Sequence, residues 1–253
     1  MIIIYRACEA NLSAQSTGDG KQDVARWNGK YKSEILRKCY ASLQSGLNND
    51  DTIILVSDRV TEDTIAWMKT NTVAEFQNIK VKPANVDKHA YPELFQTSVH
   101  TCTDLVEVIL STAEKHPDDL IYICEDDYLH LPEAIDAMKA FYNTGYNGFY
   151  VTQDYPDRYT TDIDKSAFIF AAPMSHLRTV PSATLTFAGR GSLFTEYSYD
   201  MRRAALFSDD SWTWKAFKKD MAVCPIPGHS THLQEGCITP YVDWQALYED
   251  ITI

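Results

Sequence analysis

No segment of the chain approaches the ~18 consecutive apolar residues that a membrane-spanning helix needs, and none of the six cysteines stands in a C-x-x-C pair. The first absence predicts no transmembrane segment. The second leaves neither a zinc site nor a dithiol redox motif signalled. Several of Cys8, Cys39, Cys102, Cys124, Cys224 and Cys237 fall in apolar runs instead, as reduced, buried thiols do. Positive charge is scarce as well: 23 Lys and Arg against 35 Asp and Glu give a formal net charge of −12. Such a surface repels phosphate backbones and anionic lipid, which argues against nucleic acid or a membrane surface as the main partner. An acidic protein that handles a phosphorylated small molecule needs a local cation, so candidate metal ligands are the residues to look for.

The opening Met1-Ile2-Ile3-Ile4-Tyr5 is apolar but short and lacks a basic flank. It reads as a first strand rather than a signal peptide, and the expected location is cytoplasmic. Repeats, low-complexity tracts and linkers are also missing. A chain of 253 residues suffices for one large α/β domain, so a single unit is expected over 1–253. Fifteen tyrosines within an aromatic share of 12% are a mild hint of stacking on bases or sugar rings.

The first half alternates strand and helix. Residues 2–7 read as a buried strand. Ile35, Leu36, Cys39, Tyr40, Leu43 and Leu47 form a helical stripe within 30–47. Residues 52–56 are a β-branched run ending in Ser57-Asp58, and 61–70 suit a short helix capped by Thr61. A strand is expected over 79–86, at an edge because of Pro83, then a helix over 97–115 and a strong strand over 120–124. Alternation of this kind predicts a mostly parallel central sheet flanked by helices. In the second half, strands are expected over 149–152, 166–171, 181–190 and 221–226. A helix is expected from Ser208 to about Lys219, and residues 154–159 and the C-terminal stretch read as loop and tail.

Ligands of such sheets bind beyond the carboxyl ends of the strands. That rule puts Cys8-Glu9, Ser57-Asp58 and Glu125-Asp126-Asp127 along one crevice. Three adjacent carboxylates repel one another, and a hard divalent cation relieves the repulsion while bridging substrate phosphates. Mn²⁺ or Mg²⁺ is therefore the expected cofactor; the alternative is a solvated acidic turn ahead of a helix near Pro132. In Gly228-His229-Ser230-Thr231-His232, which reads as a loop, either imidazole can complete a metal shell or meet a phosphate, with His232 favoured. Ser208-Asp209-Asp210-Ser211-Trp212 looks like a helix start. Its acids suit the helix dipole as caps, or Asp210 serves as a general base.

The ordered set of motifs resembles the GT-A glycosyltransferases, especially their family 2-like inverting group. Ile53-Ile54-Leu55-Val56-Ser57-Asp58 resembles that group's second strand, and Ile121-Tyr122-Ile123-Cys124-Glu125-Asp126-Asp127 the strand carrying its Asp-x-Asp motif. Asp209-Asp210-Ser211-Trp212 is similar to its acid-Asp motif, and His229 and His232 stand where a late metal-binding histidine is found. The first strand departs from the pattern by ending in Arg6-Ala7-Cys8-Glu9, and Arg59-Val60 follow Asp58 where the group often has Gly-Ser. The resemblance implies a GT-A type fold with a nucleotide-sugar-binding half over 1–130 and an acceptor-binding half over 131–253. It implies a nucleotide-sugar donor, a glycan or other hydroxyl acceptor, and inversion at the anomeric carbon. Asp127, Glu125, His232 and His229 then become metal ligands, and Glu9, Asp58, Glu125 and Asp126 donor contacts, with Asp58 on the nucleobase. Asp210 becomes the base, with Asp209 positioning the acceptor or the helix. Two competing readings remain: a sugar nucleotidyltransferase, against which the lack of a Gly-rich basic loop directly after the first strand counts, and a non-catalytic carbohydrate-binding protein.

Overall fold

A computed structural model of the protein describes residues 1–9, 25–82, 93–161, 166–207 and 211–253. Asp209 and Asp210, with the expected helix start at Ser208, lie outside the described residues.

The strands are β1 (Ile2–Cys8), β2 (Ala25–Trp27), β3 (Lys30–Tyr31), β4 (Thr52–Asp58), β5 (Glu75–Lys80), β6 (Leu120–Glu125), β7 (Tyr128–His130), β8 (Phe149–Val151), β9 (Ile169–Ala172), β10 (Ser175–Val180), β11 (Phe187–Arg190), β12 (Ala222–Ile226) and β13 (Ser230–His232). The helices are α1 (Lys32–Leu43), α2 (Glu62–Thr70), α3 (Glu93–Lys115), α4 (Ala134–Tyr142), α5 (Asp157–Thr160), α6 (Gly191–Glu196), α7 (Ser198–Ala205), α8 (Trp212–Lys219) and α9 (Trp244–Asp250).

A nine-stranded sheet runs in the order β5-β4-β1-β6-β11-β8-β12-β10-β9, and both halves of the chain contribute to it. Strands β5, β4, β1, β6, β8, β12 and β9 point one way; β11 and β10 run against them. The expected α/β fold with a mostly parallel central sheet is the one observed. The continuous apolar runs of β1, β4 and β6 follow from burial on both faces. Successive side chains point to opposite faces. Ile2, Ile4, Ile54, Val56, Ile121 and Ile123 therefore join a core with α3, α6, α7 and α8. Ile3, Tyr5, Ile53, Leu55, Tyr122 and Cys124 join a second core with α1, α2 and α4.

A third cluster lies on the outer side of α1. Ile35 and Cys39 meet Trp27, Leu129, Leu233, Trp244 and Tyr248 there. It clamps the antiparallel β7–β13 ribbon and the C-terminal helix onto α1. This layer was not expected from the sequence: residues 230–232 read as loop and 244–250 as tail. The ribbon strands have three residues each, too few to show a period. The C-terminal helix has a detectable start, since the Asp243 side chain accepts from the Ala246 amide at 3.0 Å.

Other boundaries moved too. A strand is found at Glu75–Lys80, where mainly exposed side chains hide the apolar signal; of the edge strand expected over 79–86, residues 83–86 lie outside the described residues. The strand expected over 181–190 shrinks to Phe187–Arg190, and Ser175–Val180 forms a separate strand. Helices α6 and α7 were not anticipated. Thr61 caps α2 as expected, its hydroxyl accepting from the Thr64 amide at 3.3 Å.

His130 on β7 is buried, with Nε2 2.7 Å from the Tyr122 hydroxyl. Burial pushes its pKa down to about 3. The fold thus holds a neutral imidazole that the unfolded chain protonates below about 6.5. The resulting stability is complete above that pH and is lost as pH falls from there toward 3. Between pH 7.5 and 5 the wild type is expected to lose about 2 kcal/mol more unfolding free energy than His130→Gln. Denaturant titrations at the two pH values measure this, and equal losses would show that His130 does not set the acid sensitivity.

Candidate active site

The site begins with strand register. Cys8 pairs with Asp58 across β1–β4, and Arg6 with Glu125 across β1–β6. The carboxyl ends of three neighbouring parallel strands therefore coincide, as the crevice rule requires. Asp126 and Asp127 form the turn between β6 and β7, and both are buried.

The three acids of the triplet are held by different sets of partners. Glu125 Oε1 accepts from Arg6 Nη1 at 2.6 Å. Asp126 Oδ2 accepts from the Cys8 amide at 2.7 Å, and its Oδ1 accepts from the Lys32 ammonium. Asp127 Oδ2 accepts from Lys32 Nζ at 3.1 Å and lies 3.4 Å from His232 Nε2. Lys32 is only 3% exposed. Taking one partner out of such a buried ion pair typically costs about 3–5 kcal/mol, so the cluster depends on this lysine.

Lys32 was not among the candidates from the sequence, yet a signal was present. It is the first residue of α1 and lies in phase with Ile35, Leu36, Cys39, Tyr40 and Leu43 on the buried face. A lysine on an apolar stripe, at the helix end where the dipole disfavours positive charge, needs a buried anionic partner. The triplet supplies one. Arg6 was missed in the same way, as a cation within an apolar strand.

His232 is held on both sides. Register places it opposite Tyr128, and the two rings stack at 5.0 Å with an interplanar angle of 10°. The Tyr128 hydroxyl lies 2.6 Å from Thr184 Oγ1 and 2.9 Å from the Tyr155 hydroxyl. Burial lowers the His232 pKa, but the Asp127 hydrogen bond and the charges of Asp127 and Glu125 outweigh it and leave the pKa raised. Burial also raises the Glu125 carboxyl; Arg6 pulls it back and Asp127 adds to the rise, with a raised value as the result.

Three other candidates have different partners. His229 is buried, its Nδ1 3.3 Å from the Tyr150 hydroxyl, and burial lowers its pKa. Asp58 accepts twice from Arg59, at 2.9 and 2.6 Å, and from the Thr101 hydroxyl at 2.6 Å. Arg59 Nη2 also reaches Cys8 Sγ at 3.2 Å, which ties Asp58 to the end of β1. Glu9 turns to the start of α2, accepting from the Thr61 amide at 2.8 Å and the Thr64 hydroxyl at 2.9 Å.

Among the described residues, no group of three His, Cys, Asp or Glu side chains converges in a way that holds a metal alone. Asp127 and His232 do face each other. Two such donors fit a divalent ion that takes its remaining ligands from substrate phosphate and water, the usual habit of Mg²⁺; they do not form a closed protein cage. A hollow beyond Tyr128 is lined by Tyr155, Arg158, Thr184 and Trp214. Behind it, Asp154 is fully buried near Arg158 Nη1 at 3.5 Å and Arg178 Nη1 at 3.8 Å, and accepts from the Tyr159 hydroxyl.

No helix among the described residues is long and apolar enough to cross a membrane. No protein-family model matches the chain, and no curated protein matches it. Solved structures that resemble it include TarS residues 1–349 from S. aureus, with TM-score 0.46 and 8% identity over 87% of this chain and 55% of that one. This chain therefore spans little more than half of that structure. A Bacillus anthracis protein described as a putative glucose-1-phosphate thymidylyltransferase, in complex with a sucrose, gives 0.48 and 12% over 100% and 96% of the two chains. The galactosyltransferase LgtC, in complex with donor and acceptor sugar analogues, gives 0.37 and 11% over 87% and 66%. Likenesses this distant carry no argument about what the chain does.

Proposed function

We propose that the chain is a glycosyltransferase that moves a sugar from a nucleotide-sugar donor to an acceptor hydroxyl, with inversion at the anomeric carbon. The observation that carries this reading is the meeting of Asp127 and His232, 3.4 Å apart, beyond the ends of the parallel strands. A carboxylate and an imidazole at that place suit a Mn²⁺ or Mg²⁺ ion shared with a diphosphate. Such an ion, when bound, neutralises charge that develops on a departing nucleoside diphosphate.

The chain's own groups do the rest. Tyr128 stacking holds the His232 ring toward Asp127. Arg6 and Lys32 offset two of the three acidic charges, so an anionic donor meets less repulsion. Asp58, fixed by Arg59 and Thr101, is the proposed nucleobase contact at the adjacent strand end. The hollow of Tyr155, Arg158, Thr184 and Trp214 is the proposed acceptor side. Asp210, two residues before the buried Trp212, is the proposed base that takes the acceptor's proton, with Asp209 as its neighbour.

Asp127→Asn is expected to keep the fold and to abolish Mn²⁺-dependent binding of a nucleoside diphosphate in calorimetry. His232→Ala is expected to weaken that binding by more than the ~10–100-fold that loss of an outer-shell partner costs a metal site. Unchanged affinity in both variants would remove the metal from this site.

Asp210→Asn separates a base from a cap, because Asn caps a helix nearly as well as Asp. The expected outcome is an unchanged melting temperature and donor affinity with transfer reduced ~10²–10⁴-fold. Near-normal turnover would assign the carboxylate to capping. Incubating the wild type with nucleotide sugars and Mn²⁺ tests the reaction class: glycosyl transfer or donor hydrolysis releases a nucleoside diphosphate, whereas pyrophosphate-dependent formation of a nucleoside triphosphate would replace this reading by nucleotidyl transfer.

A further inference from the structure

The Lys32 ammonium touches both carboxylates of the turn, and it does so from inside the protein. Both oxygens of Asp126 are already engaged, Oδ1 by Lys32 and Oδ2 by the Cys8 amide. Glu125 is committed to Arg6. Of the three adjacent acids only Asp127 also faces the imidazole, and it shares the oxygen that does so with Lys32. Lys32 is anchored by its helix, whose neighbouring residues Ile35, Leu36 and Cys39 are fully buried, so the ammonium is not on a side chain that swings freely into solvent.

We propose that Lys32 is a tethered cation that occupies the acid pair in the free protein. Without a substrate it keeps divalent metal out, so that an ion enters only together with the phosphates of a ligand, through Asp127 and His232. The proposal rests on the site assignment above, but not on the reaction. Its basis is charge. Asp126, Asp127 and Lys32 together carry one net negative charge; without Lys32 the two carboxylates carry two. Affinity for a hard divalent ion rises with the number of charged oxygen ligands. Asp126 is on this account an anchor for Lys32 and the end of β1 rather than a metal ligand. A lysine here makes metal binding conditional on the phosphorylated substrate, which a site of three free carboxylates would not do.

The test uses Mn²⁺ alone, with no nucleotide or sugar. The proteins are the full-length wild type, Lys32→Met, and Lys30→Met as a control that loses a partly exposed lysine from the same segment. Calorimetry is expected to find weak Mn²⁺ binding by the wild type and by Lys30→Met, and binding at least about tenfold tighter by Lys32→Met, in keeping with an added carboxylate charge. Mn²⁺ is also expected to raise the melting temperature of Lys32→Met and not that of the other two. A folded Lys32→Met with wild-type Mn²⁺ affinity would overturn the proposal. If Lys32→Met is unfolded without metal, circular dichroism decides: millimolar Mn²⁺ that folds it supports a counter-ion role, and failure to fold it overturns that role. Because no sugar is present, a negative result leaves the transferase reading standing, and a positive one survives the failure of that reading.

Discussion

Everything around the candidate site depends on how negative charge is accommodated at the ends of β1, β4 and β6. A parallel sheet gathers its carboxyl-terminal ends on one side, and here that side receives Asp58, Glu125, Asp126 and Asp127 within a short distance. The protein offsets them with cations from different places: Arg6 from β1 itself, Arg59 from the residue after β4, and Lys32 from the start of α1. Of these, Lys32 alone bridges two acids, and it alone comes from a helix. The position of α1 thereby becomes an electrostatic requirement as well as a packing one.

That position is set from two directions. On its inner side α1 places Leu36, Tyr40 and Leu43 on the sheet. On its outer side Ile35 and Cys39 receive Leu129 and Leu233 of the ribbon segment, with Trp244 and Tyr248 of the C-terminal helix. Those leucines neighbour the functional side chains, Leu129 following Tyr128 and Leu233 following His232. Alternation along a strand turns adjacent side chains to opposite sides. The ribbon can therefore anchor its leucines in the outer cluster while Tyr128 stacks on His232 and His232 faces Asp127. A C-terminal helix remote in sequence from the acidic triplet thus bears on the angle of an imidazole.

Much of the fold was legible in the sequence because long parallel strands carry their own signal. The apolar runs of β1, β4 and β6 and the 3.6-residue stripes of α1 and α3 rest on hydrophobic periodicity. Where elements shrink to three residues, as in β7 and β13, no period exists to read. Where a strand lies at an edge and exposes most of its side chains, as in β5, the pattern fades. At the site, the acids were legible as a cluster at a strand end, and His232 as one of two imidazoles in a short motif able to meet a metal or a phosphate. The cations were not, since a lysine or arginine is ordinarily read as surface. Lys32 betrays itself only through its phase with the apolar stripe of α1.

The triplet also shows why adjacency in sequence is a poor guide to convergence in space. Three neighbouring carboxylates look like three ligands for one cation. Glu125 ends an extended strand and Asp126 begins a turn, so their side chains leave the backbone in different directions. Glu125 goes to the Arg6 guanidinium, Asp126 to the backbone end of β1 and to Lys32, and Asp127 to Lys32 and the imidazole. The repulsion that makes such a run costly is thus relieved in pieces, by separate partners, before any ligand arrives. Of the three, Asp127 is the one that meets a histidine, and such a pair is too sparse to hold a hard cation by itself and well suited to share one with a ligand that brings its own oxygens.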